Sequence, residues 1–266
     1  MNVFSFETKA QLRSFLVWTV SLLTVFLLLI FGFYGPFMNG REATQKALAS
    51  LPPAFSAVFG VELDRIFSYD GFFQFLYTYV GLVGAIMASS IALAAFSREK
   101  RAKCVDFLLT KPISRGKAFF LKLLSCLALL AILNLLFIAA SMAAYAGNGQ
   151  DPSQMGTLVL ASSSLFFMQL TFLSIGTLYA VHAPKVRSVS GTATALGFTG
   201  FILMALCSLI REDALRYLSP LTYFNPESVF LTGGFELRYV LMAAAVIATC
   251  MAVAYGKYCK SDTRAI

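Results

Sequence analysis

Charged residues are scarce in this chain. Asp, Glu, Lys and Arg make up 13% of its 266 residues, whereas about a quarter of a typical soluble domain is charged. Hydrophobic residues reach 58% of the sequence, and 26 of them are Phe. This composition excludes an ordinary soluble domain. It indicates a polytopic membrane protein whose core forms by helix packing within lipid.

The chain also lacks the sequence motifs of several common enzyme classes. It contains no G-x-x-x-x-G-K-[ST] phosphate loop, no H-E-x-x-H zinc motif and no G-x-S-x-G nucleophile elbow. The only histidine, His182, falls at the end of an apolar segment, where an interfacial role accounts for it better than metal binding. We therefore expect no catalytic site, no metal site and no cofactor within this chain.

The cysteines and the net charge have simple explanations. No two cysteines form a C-x-x-C pair, and none lies in a predicted external loop, so a disulfide framework is not expected. The net charge of +8 does not indicate nucleic-acid binding, because the basic residues lie in the gaps between apolar segments on alternate sides. The five cysteines are Cys104, Cys126, Cys207, Cys250 and Cys259.

Six apolar segments are long enough to cross a bilayer. The first is long enough to be a permanent span rather than a signal peptide, and the nearest A-x-A-like site, Ala47-Leu48-Ala49, lies well beyond its end. The predicted fold is all-α, with a single six-span transmembrane domain over residues 1–266. The predicted spans cover residues 14–34, 71–96, 119–145, 157–181, 189–210 and 239–255.

The distribution of charge predicts the orientation of these spans. With both termini in the cytoplasm, 15 of the 21 Lys and Arg residues lie on the cytoplasmic side and 9 of the 13 acidic residues lie outside. An excess of Lys and Arg in cytoplasmic loops is the usual pattern for membrane proteins. We therefore predict six spans in the cell membrane, with both termini cytoplasmic.

The densest group of charges, which we call the basic island, runs from Phe96 to Lys117 between the second and third spans. If residues 98–109 are helical, apolar and charged side chains separate onto two sides, with Phe107 towards the charged one. Pro112 ends this helix, because the residue before a proline disfavours the α conformation. We predict an amphipathic helix along the cytoplasmic membrane surface; the alternative is a solvated basic loop. The charged side carries Glu99, Lys100, Lys103 and Asp106.

The spans contain few polar side chains that could serve transport. Asn134 lies within the third span, Gln169 within the fourth, and Gln74 near the outer end of the second. Hydrogen bonding between helices is one account of them, and a lining for a translocation path is the other. The span centres exclude Asp, Glu, Lys and Arg, which argues against a proton- or sodium-driven transporter.

The basic island resembles the membrane subunits of ABC-2-type transporters. In that family an acidic residue after the second span begins a helix that runs into a Leu-Leu-x-x-Pro-x-Ser-Arg sequence, followed by a Lys in the third span. Here these features correspond to Glu99, Leu108 to Arg115, and Lys122. The chain departs from the family at Cys104-Val105, where many members have Gly-Thr.

The resemblance implies a permease subunit of an ATP-driven exporter. In that family the helix after the second span is a coupling helix that docks into a separate ATP-binding subunit. Two such subunits, which hold the ATP and Mg²⁺, then act on two permease subunits, identical or paralogous. The residues expected to contact the ATP-binding subunit are Arg98, Glu99, Lys100, Arg101, Lys103, Asp106, Phe107, Leu108 and Arg115.

Two other functions remain open from the sequence. One is a membrane protein that does not transport, such as an immunity or scaffold subunit, and the other is a secondary transporter. A P-loop ATPase encoded by the neighbouring reading frame would favour the exporter over both. The lipid bilayer is the surrounding partner in each case, and no nucleic acid is expected.

Overall fold

The computed structural model describes residues 3–50, 65–102, 114–210 and 216–260. Of these residues 88% are helical, and no strand occurs among them. Helices are the physical expectation, because hydrocarbon offers no hydrogen-bond partners and each backbone N–H and C=O must be paired within its own segment. Six helices are long and apolar enough to cross a membrane, which confirms the six predicted spans.

The described residues form eight α-helices, of which α2 and α7 are short. The first helix begins well before the span predicted to start near residue 14, because its polar N-terminal residues continue the helix. Two short 3₁₀ helices cover Pro152–Gln154 and Pro220–Thr222. The α-helices are α1 (Val3–Asn39), α2 (Arg41–Ala49), α3 (Tyr69–Ala102), α4 (Arg115–Gly147), α5 (Met155–His182), α6 (Val189–Ile210), α7 (Pro226–Thr232) and α8 (Leu237–Lys260).

Helices α3 and α5 form the centre of the bundle. They pack against each other, and the remaining spans pack around them: α1 and α6 against α3, α8 against α5, and α4 against both α1 and α5. Burial follows this order, with 78% of the most apolar stretch of α3 buried but only 17% of that of α8. The outer helices therefore leave large apolar surfaces for lipid or another subunit.

Small residues bring the central helices close together. A side-chain carbon at Gly84 of α3 would lie 2.7 Å from Leu165 Cδ1 of α5, and one at Gly197 of α6 would overlap Ile86 of α3. Glycine at such positions lets helix backbones approach more closely than larger residues permit. These glycines therefore let α3 approach α5 and α6 closely.

The two ends of the bundle differ in composition. We call the end at which α1 begins, α3 ends, α4 begins and α8 ends the basic end. Contacts between Glu7 and Lys122, and between Arg115 and Cys259, bring these four helix termini together. Both described ends of the chain therefore lie at the same end of the bundle, as an even number of spans requires.

The opposite end is covered by the stretch between the fifth and sixth predicted spans. Ser219, Leu221 and Val229 are buried there, and the Ser219 hydroxyl donates a hydrogen bond to the Gly200 carbonyl of α6. The stretch combines scattered charges with apolar side chains that pack between the helix ends. Helix α7 thereby rests on α3 and α5.

The basic island lies partly within the described residues. Helix α3 continues without a break to Ala102, so residues 98–102 extend the second span. Residues 103–113, the rest of the predicted coupling helix, lie outside the described residues. We refer to residues 103–113 as the connecting segment. It joins the end of α3 to Ser114, whose side chain accepts a hydrogen bond from Lys117 N and caps α4.

We predict that Gly197→Leu destabilises the bundle. The new side chain must displace Ile86 in the contact between α6 and α3, and overpacking of this kind costs about 1–3 kcal/mol. The measurement is the thermal unfolding midpoint of the purified protein in detergent. Gly156→Leu is the matched control, because nothing lies within 4 Å of a side-chain carbon there. Equal midpoints for the two variants would contradict the close approach.

Candidate functional site

A buried cluster of charged side chains joins three spans at the basic end. The Glu7 carboxylate of α1 lies 3.4 Å from Arg98 Nη2 of α3 and 3.7 Å from Lys122 Nζ of α4. Glu7 is 3% exposed and Lys122 is 1% exposed, whereas the Arg98 side chain is 25% exposed. We call these three residues the charge joint. One carboxylate is therefore shared between the two helices on either side of the connecting segment.

Lys122 also binds the backbone of α3. Its Nζ donates a 2.8 Å hydrogen bond to the Ala95 carbonyl and lies 5.9 Å from the centre of the Phe96 ring. Lys122 thus holds α4 against α3 as well as against α1.

Helical periodicity explains why Glu7 lies on the buried side of α1. The buried side chains of α1 recur every three or four residues, so they form one stripe along the helix. Followed back from the span, this stripe passes into the polar N-terminal segment and ends on two polar residues, Gln11 and Glu7. Its members are Glu7, Gln11, Phe15, Thr19, Leu22, Phe26 and Ile30.

An aromatic cluster fixes the same region from the other side. Phe119 of α4 packs against Phe96 of α3, with ring centroids 5.0 Å apart, and against Tyr255 and Tyr258 of α8 at 5.4 and 5.5 Å. Arg115 Nη1 donates a 3.5 Å hydrogen bond to the Cys259 carbonyl at the end of α8. The end of α3 and the start of α4 are therefore both anchored to the bundle.

The nine predicted contact residues fall into three groups. Arg98 lies in the charge joint and Arg115 lies against α8. Glu99, Lys100 and Arg101 belong to the last turn of α3, and the structure does not describe their side chains. Lys103, Asp106, Phe107 and Leu108 fall in the connecting segment, outside the described residues.

The polar residues near the middle of the spans bind each other. Asn134 Nδ2 of α4 donates a 2.7 Å hydrogen bond to Gln169 Oε1 of α5, and Gln169 Nε2 donates to the Gly84 carbonyl of α3 at 3.4 Å. Asn134 is 4% exposed and Gln169 is fully buried. Their position links three helices within one chain, which is the hydrogen-bonding role that the sequence offered as one account.

Gln74 belongs to a separate network at the opposite end. Its Nε2 donates a 2.6 Å hydrogen bond to Asn225 Oδ1, and that oxygen also caps α7 by accepting from Glu227 N. Glu227 in turn pairs with Arg65, with 3.3 Å between Oε1 and Nη1. Gln74 is thus distant from the Asn134–Gln169 pair, and the three polar residues do not form one group.

Sequence reasoning missed Glu7 as a functional candidate. It treated residues 1–13 as a short mixed segment, and it used Lys122 only as part of a family motif. The available signal was the buried stripe of α1, because a four-residue step back from Phe15 reaches Gln11 and another reaches Glu7. The pairing of Glu7 with two helices far along the chain had no local signal.

We predict that Glu7→Gln lowers the stability of the bundle. Removing the carboxylate leaves Lys122 buried without that ion pair, and breaking a buried ion pair costs about 3 kcal/mol. The thermal unfolding midpoint in detergent measures the effect. Glu42→Gln, at an exposed position in α2, should leave the midpoint unchanged. A shift of equal size in both variants would mean that the cluster contributes nothing specific.

A double-mutant cycle tests the Asn134–Gln169 pair. Because the two amides bind directly within the membrane, we expect a coupling free energy of about 0.6–1.7 kcal/mol between Asn134→Ala and Gln169→Ala. The measurement is the free energy of unfolding in mixed micelles. Asn134→Ala combined with Gln74→Ala should be additive, since the two residues belong to separate networks. Additivity in both cycles would argue against a packing role for the pair.

Comparison with known proteins was made for the whole chain. A family model described as "ABC-2 family transporter protein" matches residues 1–257. A comparison with curated proteins gave no match. The family match extends over all six candidate spans, in agreement with the resemblance carried by the basic island. The family model matches nearly the whole chain, and the fold has six candidate spans. The chain is therefore a multi-pass membrane protein that belongs to the ABC-2 transporter family.

Proposed function

We propose that this chain is the permease subunit of an ATP-driven exporter in the cell membrane. The observation that carries the proposal is the anchoring of both ends of the connecting segment. The last turns of α3 and the first turns of α4 are held by the charge joint on one side and by the aromatic cluster on the other. A push on the end of α3 or on the start of α4 would therefore be passed on to the neighbouring spans.

The ATP-binding step belongs, on this proposal, to a separate subunit. The sequence has no phosphate-binding loop, and members of this family generally work with ATP-binding subunits. Two ATP-binding subunits, each with ATP and Mg²⁺, would bind the coupling helix through its charged side chains and Phe107. The chain itself then catalyses no reaction and needs no cofactor.

A second permease subunit, identical or paralogous, completes the transporter. Two observations support this arrangement. Asn134 and Gln169 are turned towards each other inside one six-helix bundle, and α1, α6 and α8 each have less than a third of their most apolar stretch buried. Both favour a translocation path between two subunits over one through a single bundle. The predicted path residues Gln74, Asn134 and Gln169 then act by holding the bundle together.

The two alternative functions have weaker support. Secondary transporters usually bind the driving ion through ionisable groups within the membrane, whereas the charge joint lies at the basic end and the central pair consists of amides. An immunity or scaffold subunit has no need for a rigidly anchored charged segment between spans. Association with an ATPase separates both from the exporter.

The experiment is co-purification with a P-loop ATPase, and the first to be tested is any that the neighbouring reading frame encodes. We predict that Glu99→Arg or Phe107→Ala lowers the amount of ATPase retained on the tagged permease at least tenfold, which corresponds to about 1.4 kcal/mol. Membrane insertion should be unchanged. Glu42→Arg is the matched charge-reversal control, since Glu42 lies on α2, outside the basic end.

The result that would overturn the proposal is equally specific. If the wild-type chain retains no ATPase, the exporter function fails. If the ATPase is retained but Glu99→Arg and Phe107→Ala behave like Glu42→Arg, the chain has an ATPase partner that does not bind through the predicted coupling helix. In that case the assignment of contact residues fails while the family membership stands.

A further inference from the structure

The charge joint occupies a position that stability alone does not explain. Burying charged groups requires their removal from water, and well-packed apolar residues of similar volume are often as stable or more stable than a buried ion pair. A buried ionic cluster is therefore weak evidence for stability, and its best-attested use is to fix one arrangement of the parts that it joins. Here the joined parts are the N-terminal turns of α1 and the two helix ends next to the connecting segment.

The three residues of the charge joint connect α1 to both helix ends that flank the connecting segment. Arg98 lies four residues before the last described residue of α3, and Lys122 lies in the second turn of α4 after Arg115. A displacement of the end of α3 or of the start of α4 moves one of these two cations. Because Glu7 is paired with both cations, α1 is connected to the displacement from both sides.

The contact between α1 and α3 is uneven along its length. At the basic end the two helices are joined by the Glu7–Arg98 pair, and at the opposite end Tyr34 packs against Tyr69 and Phe72 with ring centroids 5.4 and 5.5 Å apart. Between these attachments lies an apolar groove of about 230 Å³, lined on the α1 side by Trp18 and Val25 and on the α3 side by Tyr79 among others.

This groove gives α1 room to shift relative to α3. Close-packed helices resist sliding, because the side chains of one fill the spaces of the other. Phe26 of α1 packs against Phe73 of α3, with ring centroids 6.1 Å apart, whereas nearer the charge joint Trp18 and Ser21 border the groove. The groove therefore lies where a movement that begins at the charge joint would be accommodated.

We propose that Glu7, Arg98 and Lys122 act as positioning residues that transmit movement of the connecting segment to α1 and so change the width of the α1–α3 groove. The inference rests on the proposed function, since the movement is supplied by the ATP-binding subunit. It adds a route from the ATP-binding subunit to the first span. This route consists of the charged contacts of Glu7 with Arg98 and Lys122.

The fluorescence of a tryptophan in this chain can report on changes at the groove. Trp18 is the chain's single tryptophan and lines the groove. The permease would be reconstituted with its ATPase in vesicles containing phospholipids brominated on the acyl chain, which quench tryptophans within the membrane. Tryptophans of the water-soluble ATPase are out of reach of the bromines, and a Trp18→Phe variant provides the background. Quenching would be compared with and without a non-hydrolysable ATP analogue.

We expect the ATP analogue to change the quenching of Trp18 in the wild type and to change it less than half as much in Glu7→Gln. Thr8→Val is the matched control. Thr8 also links α1 to α4, through a 2.8 Å contact between its hydroxyl and that of Ser125, but without charge, so this variant should respond like the wild type. Arg98→Gln keeps the Glu7–Lys122 pair, retains more stability, and should also respond less than half as much.

Co-purification and ATP hydrolysis, measured on the same samples, separate the possible failures. If no ATPase is bound to the wild type, the proposed function fails and the transmission route fails with it. If the ATPase binds and hydrolyses ATP, but the quenching does not respond to the ATP analogue, α1 does not move and only the transmission route is overturned. An equal response in the wild type, Glu7→Gln and Arg98→Gln also overturns it, and leaves the charge joint with a purely structural role.

Discussion

Polar groups inside a bilayer have to find their partners within the protein, since hydrocarbon cannot supply them. This constraint gives the backbone its six long helices and accounts for the pairing of several polar side chains of the core. Asn134 and Gln169 bind each other and a helix carbonyl, and Lys122 binds the Ala95 carbonyl as well as Glu7. These polar contacts therefore also help to determine which helices pack against each other.

The same constraint divides the bundle into regions with different physical properties. In the central region, small residues and two amides hold α3, α4, α5 and α6 close together. At the basic end, ionised side chains and aromatic rings hold α1, α3, α4 and α8 around the connecting segment. Charge is tolerated at the end of the bundle because water and headgroups are near, and this places the electrostatic contacts next to the region where a soluble partner would act.

The proposed transport function uses this division. A motor outside the membrane can act on the spans only through structure that reaches the membrane surface, and the connecting segment is continuous with two of the spans. The charge joint brings in a third span, α1, which is distant from the segment in sequence. In the proposed mechanism, the amides in the middle of the bundle would keep its centre intact while the peripheral helix α1 changes its position against α3.

Composition and periodicity were sufficient to predict the six spans, the placement of both described ends of the chain at one end of the bundle, and the ABC-2 family, because hydropathy and local motifs are properties of contiguous residues. The tertiary structure alone decided that Glu7 pairs with Arg98 and Lys122, that Asn134 meets Gln169, and that residues 219–229 pack between helix ends. The pairings of Glu7 and of Asn134 join residues 35 to 115 positions apart, and the helix rotations that create them depend on side-chain packing along the entire bundle. A local pattern can show that a polar residue lies on a buried face, as the stripe of α1 does for Glu7, but it does not contain the identity of the partner.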